Sequence, residues 1–421
     1  MSLDVGRSSF NFEVFKDKEM DWVFKRTLQF MNEKAAQIAE CLYAARRIDE
    51  EDGESWIREW ASLAGRVEAQ GDESLSKGHR ISARESFMRA SNYYRTAEYG
   101  TPPSHPQFQD LWEKSVKSFH KACPLFSPAI EIHTVSFEGK HLPAYYWRPD
   151  MSGSVRPTLI VAGGNDSSLE ELVFWAGSAA VRRGYNFFAF DHPGHRGAVH
   201  LYSDCVKRND YEVPYKVAID FLETLPGVDE RIAITGYSFG GYVATRVAIH
   251  DKRIKAVAPN PVQIDQGASE QFWSGFATKV PTFLLNWGIS RKLGRKPITK
   301  AMLEYTLWSL GFGHTTLVEL LKDEALIARA REMKKDWDIK EDLHRITCPV
   351  LALVGGGEGE VFEQQARDFL ALISSTEKKL HKFTLESDGS NDHCQLDNRS
   401  RGNQVLFDWL DEIFEYKYPV N

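Results

Sequence analysis

The fold of this 421-residue chain is decided by the stretch ITGYSFGGYVATRVA, residues 234–248. Its centre, Gly236-Tyr237-Ser238-Phe239-Gly240, fits the pattern G-x-S-x-G, which alone is weak because glycine and serine are common in turns. The setting is more informative, since the apolar run RIAIT precedes the pattern and a helical stretch follows it. A serine on such a strand–turn–helix is held on a strained elbow. The sequence therefore predicts that Ser238 is a nucleophile above a helix N-terminus, whose dipole favours negative charge.

Short apolar runs alternate with helical segments on both sides of this stretch. The first two, IEIHTVSFEG and KHLPAYYWRP, predict a hairpin with Glu138-Gly139 in its turn. Buried strands that alternate with helices indicate a mostly parallel sheet covered on both faces. We therefore predict an α/β fold with about eight strands, the other six lying in 158–164, 185–191, 231–236, 254–260, 349–356 and 378–384.

The chain divides into three parts by its pattern. Residues 1–125 place apolar residues three and four apart, which predicts an N-terminal helical domain. Residues 126–264 and 341–421 carry the strands and form the predicted catalytic core. The segment 265–340 is too long for a simple connection, so we predict a helical lid at the carboxyl edge of the sheet. Its candidate pocket walls are Trp273 and Trp287, assigned to substrate binding, together with Phe276, Phe283 and Trp308.

An activated serine needs a base, and the base needs a carboxylate that orients it. His393 lies between the last predicted strand and the terminal helical stretch, which is where this architecture places the base. The acid should follow the strand PVLALVG, where Glu358 has the expected spacing and Glu360 is a rival. Asp265, just past the preceding strand, is a third candidate. The sequence leaves the choice among these three open.

The oxyanion hole is expected to combine two backbone N–H groups. One belongs to Phe239, directly after the nucleophile. The other belongs to Gly164 or Asn165, in the loop after the strand TLIVAGG. The neighbouring polar side chains can cap the helix that follows this loop, while a backbone N–H of the same loop donates to the oxyanion.

The motif FDHPGHRG, residues 190–197, ends another strand at the same edge. Its residues Asp191, His192 and His195 raise the question of a metal. The chain offers no well-spaced third ligand and a serine mechanism needs none, so we expect neither metal nor cofactor. We assign Asp191 and His192, with Tyr237, to substrate binding.

Composition limits the partners. The net charge of -7 argues against nucleic acid or an anionic membrane surface, and no apolar run approaches the length of a membrane helix. The start of the chain lacks a signal-peptide pattern, and the five cysteines are scattered. We therefore expect a cytoplasmic protein whose partner is a small-molecule substrate.

Taken together, RASNYYRTAEY, GGNDSSLEEL, FDHPGHRG, GYSFGGYVATRVA and NDHCQLDN resemble the α/β-hydrolase superfamily. More narrowly, they resemble its FrsA-like group, which has an N-terminal helical domain. That group includes dihydroxypseudooxynicotine hydrolase and fungal yellowish-green-pigment-type polyketide hydrolases. The resemblance implies an α/β-hydrolase fold, Ser238 as nucleophile, His393 as base and a homodimer. Two departures are a Glu where many relatives have Asp, and DHPGHRG in place of a DGPGQG type.

The leading hypothesis is a serine hydrolase of secondary metabolism that cleaves a bulky aromatic or polyketide-like substrate beside a carbonyl. The resemblance implies either retro-Claisen carbon–carbon cleavage or ester cleavage, which differ only in the leaving group. One alternative is an acyltransferase or cyclase that uses the same triad with an internal nucleophile. An alternative of another class is a non-catalytic small-molecule receptor.

Overall fold

The computed structural model describes residues 12–267 and 296–418. Its eight-stranded, mostly parallel sheet confirms the predicted fold class. The order across the sheet is β1-β2-β4-β3-β5-β6-β7-β8. The strands are β1 (Glu131–Phe137), β2 (Lys140–Trp147), β3 (Arg156–Ala162), β4 (Asn186–Phe190), β5 (Val228–Tyr237), β6 (Ile254–Asn260), β7 (Val350–Gly355) and β8 (Lys378–Phe383).

Pairing in the sheet follows the predicted pattern. Strands β3 to β8 pair in parallel, and β2 pairs antiparallel with β1 and β4. The hairpin turns at Glu138 and Gly139, which both have positive φ (47° and 75°), as a two-residue hairpin turn requires. Every residue of β4 and β7 is buried, which explains why the sequences of these two strands are almost entirely apolar.

The N-terminal part is helical, as the spacing of its apolar residues predicts. Its longest helices pair along their length, with α4 packed between α3 and α5. Its helices are α1 (Lys18–Leu28), α2 (Ile38–Ala45), α3 (Gly53–Ser76), α4 (Arg80–Tyr99) and α5 (Phe108–Ala122).

Two apolar cores lie on opposite faces of the sheet. Alternate residues of one strand enter different cores: Leu159 and Val161 join the N-terminal helices, whereas Ile160 and Ala162 face the other side. The N-terminal helices therefore share a continuous core with one face of the sheet.

Further helices follow the strands and cover the sheet. The helix after β5 begins directly at the predicted nucleophile. These helices are α6 (Leu169–Leu172), α7 (Ser178–Arg182), α8 (Arg196–Leu201), α9 (Glu212–Leu222), α10 (Phe239–His250), α11 (Pro297–Leu307), α12 (Leu317–Lys322), α13 (Glu324–Lys335), α14 (Glu360–Leu372), α15 (Leu385–Asp388) and α16 (Arg399–Ile413). A π-helical stretch, Val173–Gly177, joins α6 to α7.

The ends of the insertion after β6 are bonded to each other. Asp265 and Asp338 form an antiparallel bridge, and the N–H of Ile339 donates to the carbonyl of Ile264 at 3.0 Å. The helices α11, α12 and α13 lie between these ends. The positions of the three predicted domain boundaries stay a prediction.

The aromatic residues predicted to line a pocket divide into two groups. Trp308 is buried and packs edge-on against Phe108 of α5, with ring centroids 5.2 Å apart, so it joins the insertion to the N-terminal helices. The others, Trp273, Phe276, Phe283 and Trp287, lie outside the described residues.

Among residues 12–267 and 296–418, no helix combines the length and the apolar character needed to cross a membrane.

Candidate active site

Ser238 occupies a strained turn between β5 and α10. Its φ of 56° and ψ of -123° lie outside the regions that most residues adopt, which is typical of a functional elbow. The backbone packs so closely that a Cβ on Gly236 would lie 1.8 Å from the Gly240 carbonyl oxygen. The N–H of Ser238 donates to the Asn260 carbonyl at 2.8 Å, which ties the turn to β6.

His393 and Glu358 form a hydrogen-bonded pair at the same edge of the sheet. Nδ1 of His393 lies 2.5 Å from Oε1 of Glu358, and the carboxylate is fully buried. The other carboxylate oxygen accepts the N–H of Gly355 at 2.5 Å. Both oxygens are therefore held, and the ring presents Nε2 for proton transfer. No hydrogen bond joins His393 to Ser238 within the described chain, and such contacts often tighten only when substrate binds.

The surroundings of His393 favour its charged form. Burial opposes protonation of the ring, but the interactions of the ring with Cys394 and with the Glu358 carboxylate outweigh that effect. The net result raises the pKa of His393 well above its usual value. The imidazole of His393 is therefore protonated over a wider pH range than that of a free histidine.

The rival acids lie elsewhere. Glu360 is exposed on the first turn of α14. Asp265 lies at the base of the insertion, where its carboxylate contacts Nζ of Lys340 at 2.7 Å. Of the three candidates, the structure brings Glu358 to His393.

The loop after β3 packs against Ser238. A Cβ on Gly164 would lie 3.0 Å from Cβ of Ser238. The N–H of Gly164 already donates to Oγ of Ser167 at 2.8 Å, whereas the structure records no bond to the N–H of Asn165 within the described residues. Phe239 is the first residue of α10, so its N–H has no partner in the helix ladder. The geometry therefore favours Phe239 and Asn165 as oxyanion donors over Gly164.

A buried chain of hydrogen bonds holds that loop, and the sequence did not reveal it. Oγ of Ser167 lies 2.9 Å from Nε2 of His195, and Nδ1 of His195 bonds to the Asp191 carboxylate. Burial lowers the pKa of His195 and raises that of Asp191, which favours a neutral ring whose Nδ1 shares a proton with the Asp191 carboxyl group. The Ser167 hydroxyl then donates to Nε2 while accepting from Gly164. We call Asp191, His195 and Ser167 the loop relay.

The three described residues assigned to substrate binding, Asp191, His192 and Tyr237, are buried and bonded within the protein. Asp191 belongs to the loop relay, and His192 is 1% exposed with its ring nitrogens facing the carbonyls of Pro193 and Gly163. The hydroxyl of Tyr237 accepts from Arg399 at 3.0 Å, and its ring lies in the core that the N-terminal helices share with the sheet. Direct contact of these side chains with substrate finds no support in this geometry.

The loop that carries His393 is anchored to β6. The amides of Asn260 and Gln395 bond to each other, with Nδ2 of Asn260 donating to Oε1 at 2.7 Å. Sγ of Cys394 donates to the Asn260 carbonyl at 3.2 Å. Since the Asn260 carbonyl also accepts from Ser238, nucleophile and base share one anchor.

Glu358, His393 and Cys394 are the described residues whose spacing could suggest a metal, with ligand atoms within 4.8 Å of one another. The oxygen and nitrogen of the first two are only 2.5 Å apart, however. Two ligands that each bind zinc at about 2.0–2.2 Å in tetrahedral geometry lie farther apart than that. The contact is that of a hydrogen bond, not of two metal ligands.

The parallel sheet, the serine elbow and the histidine–carboxylate pair define an α/β-hydrolase. The chain belongs to the alpha/beta hydrolase family, whose model matches residues 159–389. It is a hydrolase of that type, related to fungal hydrolases over 96–97% of its length.

Two such relatives show the extent of the similarity. A hydrolase called ORFZ from Pyricularia oryzae is 31% identical, over 96% of this chain and 99% of the relative. The 20-hydroxy-prefusarin hydrolase FUS2 of Gibberella moniliformis is 28% identical, over 97% and 99%. Among solved structures, 2,6-dihydroxy-pseudo-oxynicotine hydrolase has a TM-score of 0.70 at 22% identity, covering 93% of this chain and 98% of its own.

Proposed function

We propose that the protein is a serine hydrolase that cleaves a bond beside a carbonyl in a bulky polyketide-like or aromatic compound of fungal secondary metabolism. Ser238 is the nucleophile, His393 the base and Glu358 the carboxylate that orients it. The observation that carries the proposal is the 2.5 Å pair of His393 and Glu358 beside a serine held at positive φ. The substrate class rests on the fungal relatives, one of which is named for its action on 20-hydroxy-prefusarin.

The reaction begins with the Ser238 hydroxyl attacking the substrate carbonyl while Nε2 of His393 takes its proton. Glu358 stabilises the imidazolium that forms, because its carboxylate accepts the Nδ1 proton. The N–H groups of Phe239 and Asn165 donate to the oxyanion.

The tetrahedral intermediate then collapses and its leaving group takes the proton from His393. From an ester the leaving group is an alkoxide, and from a β-diketone it is a carbanion stabilised by the second carbonyl. Water, deprotonated by His393, attacks the acyl-enzyme and releases the acid. Both variants use the same residues, so the bond that breaks is set by the substrate.

The test is covalent labelling by a fluorophosphonate, read as intact-protein mass. We expect one adduct on the wild type, none on Ser238→Ala and a strongly reduced rate on His393→Ala. His381→Ala is the matched control, since His381 also bonds to a carboxylate, Asp388, at 3.1 Å but away from the elbow. Paired ester and β-diketone substrates then show which bond is cleaved. An adduct that survives on Ser238→Ala would refute the assignment.

A further inference from the structure

A cavity of about 160 Å³ lies where the N-terminal helical part meets the core. Its walls come from the turn after α1, from α7 and from α16. We call it the interface cavity. Its polar lining includes Gln29, Arg183, Arg399, Ser400 and Asn403.

The interface cavity is lined by Arg399, which is buried without an ion pair in the described chain, and by Arg183, whose charge nearby carboxylates partly offset. Arg399 is 7% exposed, and its guanidinium donates to three neutral acceptors: the Cys394 carbonyl, the Tyr237 hydroxyl and Oδ1 of Asn403. Arg183 donates to the Ala179 carbonyl and stacks on an aromatic ring. Neither arginine forms an ion pair with a carboxylate of the described chain.

The acid that lines the cavity is already paired. Glu33 binds Arg182 through two hydrogen bonds of 2.9 and 2.8 Å. A buried guanidinium without a counter-charge is costly, so a complementary anion is stabilising here.

Polar atoms in the cavity wall also lack partners. Both amide atoms of Gln29, Oε1 and Nε2, are buried without a hydrogen bond within the described residues, and so is Nε of Arg399. Buried polar groups are almost always satisfied, so these two unpaired donors and one unpaired acceptor at the wall of one cavity point to an occupant that forms hydrogen bonds. The volume is ample, since a single water needs only about 10–15 Å³ on this measure.

We propose that the interface cavity binds a small oxyanion, a carboxylate or phosphate group, between Arg183, Arg399 and the amide of Gln29. Guanidinium groups recognise both anions through paired N–H donors. Arg399 also holds Tyr237, next to the nucleophile, and the carbonyl of Cys394, next to the base. The anion therefore fixes the arginine on which both catalytic segments rest.

The test is calorimetric titration of the full-length protein with inorganic phosphate and, separately, with malonate, at constant ionic strength. We expect saturable binding of one anion per chain, weakened at least tenfold in Arg183→Gln and in Gln29→Leu. Arg58→Gln is the matched control, because Arg58 is exposed on α3 away from the cavity. Preference for malonate assigns a carboxylate, and preference for phosphate assigns a phosphate group.

The two cavity variants are complementary. Arg183→Gln removes a positive charge, whereas Gln29→Leu removes a hydrogen-bond donor without changing the charge. Thermal unfolding of each variant without anion shows that it is folded. Heat that never saturates, or equal affinity in the wild type and both cavity variants, would overturn the proposal and leave water as the occupant. Titration of Ser238→Ala separates this proposal from the proposed function, because the cavity should still bind its anion there.

Discussion

At the residue scale, the histidine–carboxylate pair makes a prediction about pH. Because Glu358 raises the pKa of His393, replacing it by Gln should lower that pKa, so the deprotonated base would persist to lower pH. We expect Glu358→Gln to label at least tenfold more slowly at its optimum, and the acidic limb of its pH–rate profile to move to lower pH.

The measurement is the rate of fluorophosphonate labelling across the pH range. Asp265→Asn and Glu360→Gln serve as controls, because neither carboxylate bonds to His393 in the described structure. A downward shift of the limb in Asp265→Asn, with none in Glu358→Gln, would assign the acid to Asp265 instead.

The loop relay makes a second prediction at this scale. Ser167→Ala removes the acceptor for the Gly164 N–H and leaves Nε2 of His195 without a donor. The loop carrying Asn165 loses its fixed position, so kcat should fall roughly 10- to 100-fold, somewhat less than direct loss of an oxyanion donor.

The relevant readout is a fall in kcat at nearly unchanged KM, with partial rescue by Ser167→Thr. Ser118→Ala is the control, since Ser118 is equally buried in α5 but its hydroxyl has no hydrogen-bond partner among the described residues. Equal losses of activity in both variants would show that Ser167 acts only through stability.

At the element scale, the elbow depends on close approach of backbone at its glycines. Gly236→Ala would place a Cβ 1.8 Å from a carbonyl oxygen that cannot move without opening the turn. We expect about 1–3 kcal/mol of destabilisation, as for other overpacked sites, and loss of labelling.

The matched comparison is Gly65→Ala in α3, where the new Cβ meets only a tyrosine hydroxyl at 3.4 Å. Alanine favours the helix there, so thermal unfolding should show equal or higher stability. Destabilisation of the same size in both variants would contradict the close-packing argument.

Much of the element pattern could be predicted from the sequence. Strands β3, β4 and β7 are largely apolar runs, whereas β8 is mostly polar and exposed. The hairpin turn needs residues that tolerate positive φ, and the glycine of Glu138-Gly139 indicates such a turn. Chain order alone limits the carboxylate partner of His393 to three candidates, of which Glu358 is the one that contacts it in the structure. The loop relay could not be predicted from the sequence, because it joins residues of two loops that approach each other only in the folded protein. The contact between His195 and Ser167 is an example.

At the scale of the whole molecule, buried charges join the N-terminal helices to the core. The guanidinium of Arg26 binds both oxygens of Glu171 at 2.7 Å and Asp166 at 2.9 Å. Asp166 adjoins Asn165, the proposed oxyanion donor, so this junction also holds the loop that packs against Ser238. Arg196 makes a second link by bonding to Glu98 of α4.

Arg26→Met should therefore be costly. It leaves the buried Glu171 with Arg95 as its remaining ionic contact, at 3.4 Å, and we expect about 3–5 kcal/mol of destabilisation with slower labelling. Denaturant unfolding measures the first effect. Glu73→Gln, which breaks the exposed pair with Lys77, is the control and should cause no measurable change. Equal changes in the free energy of unfolding for both variants would show that the buried ion pairs of Arg26 stabilise the protein no more than an exposed pair does.

The bridge between Asp265 and Asp338 has an evolutionary consequence. Since the insertion leaves and re-enters the core at adjoining residues, a change in its length need not displace β6 or β7. Selection can then lengthen or shorten that segment while the strand order of the sheet is inherited unchanged. A lineage built this way can vary its insertion while it keeps its sheet.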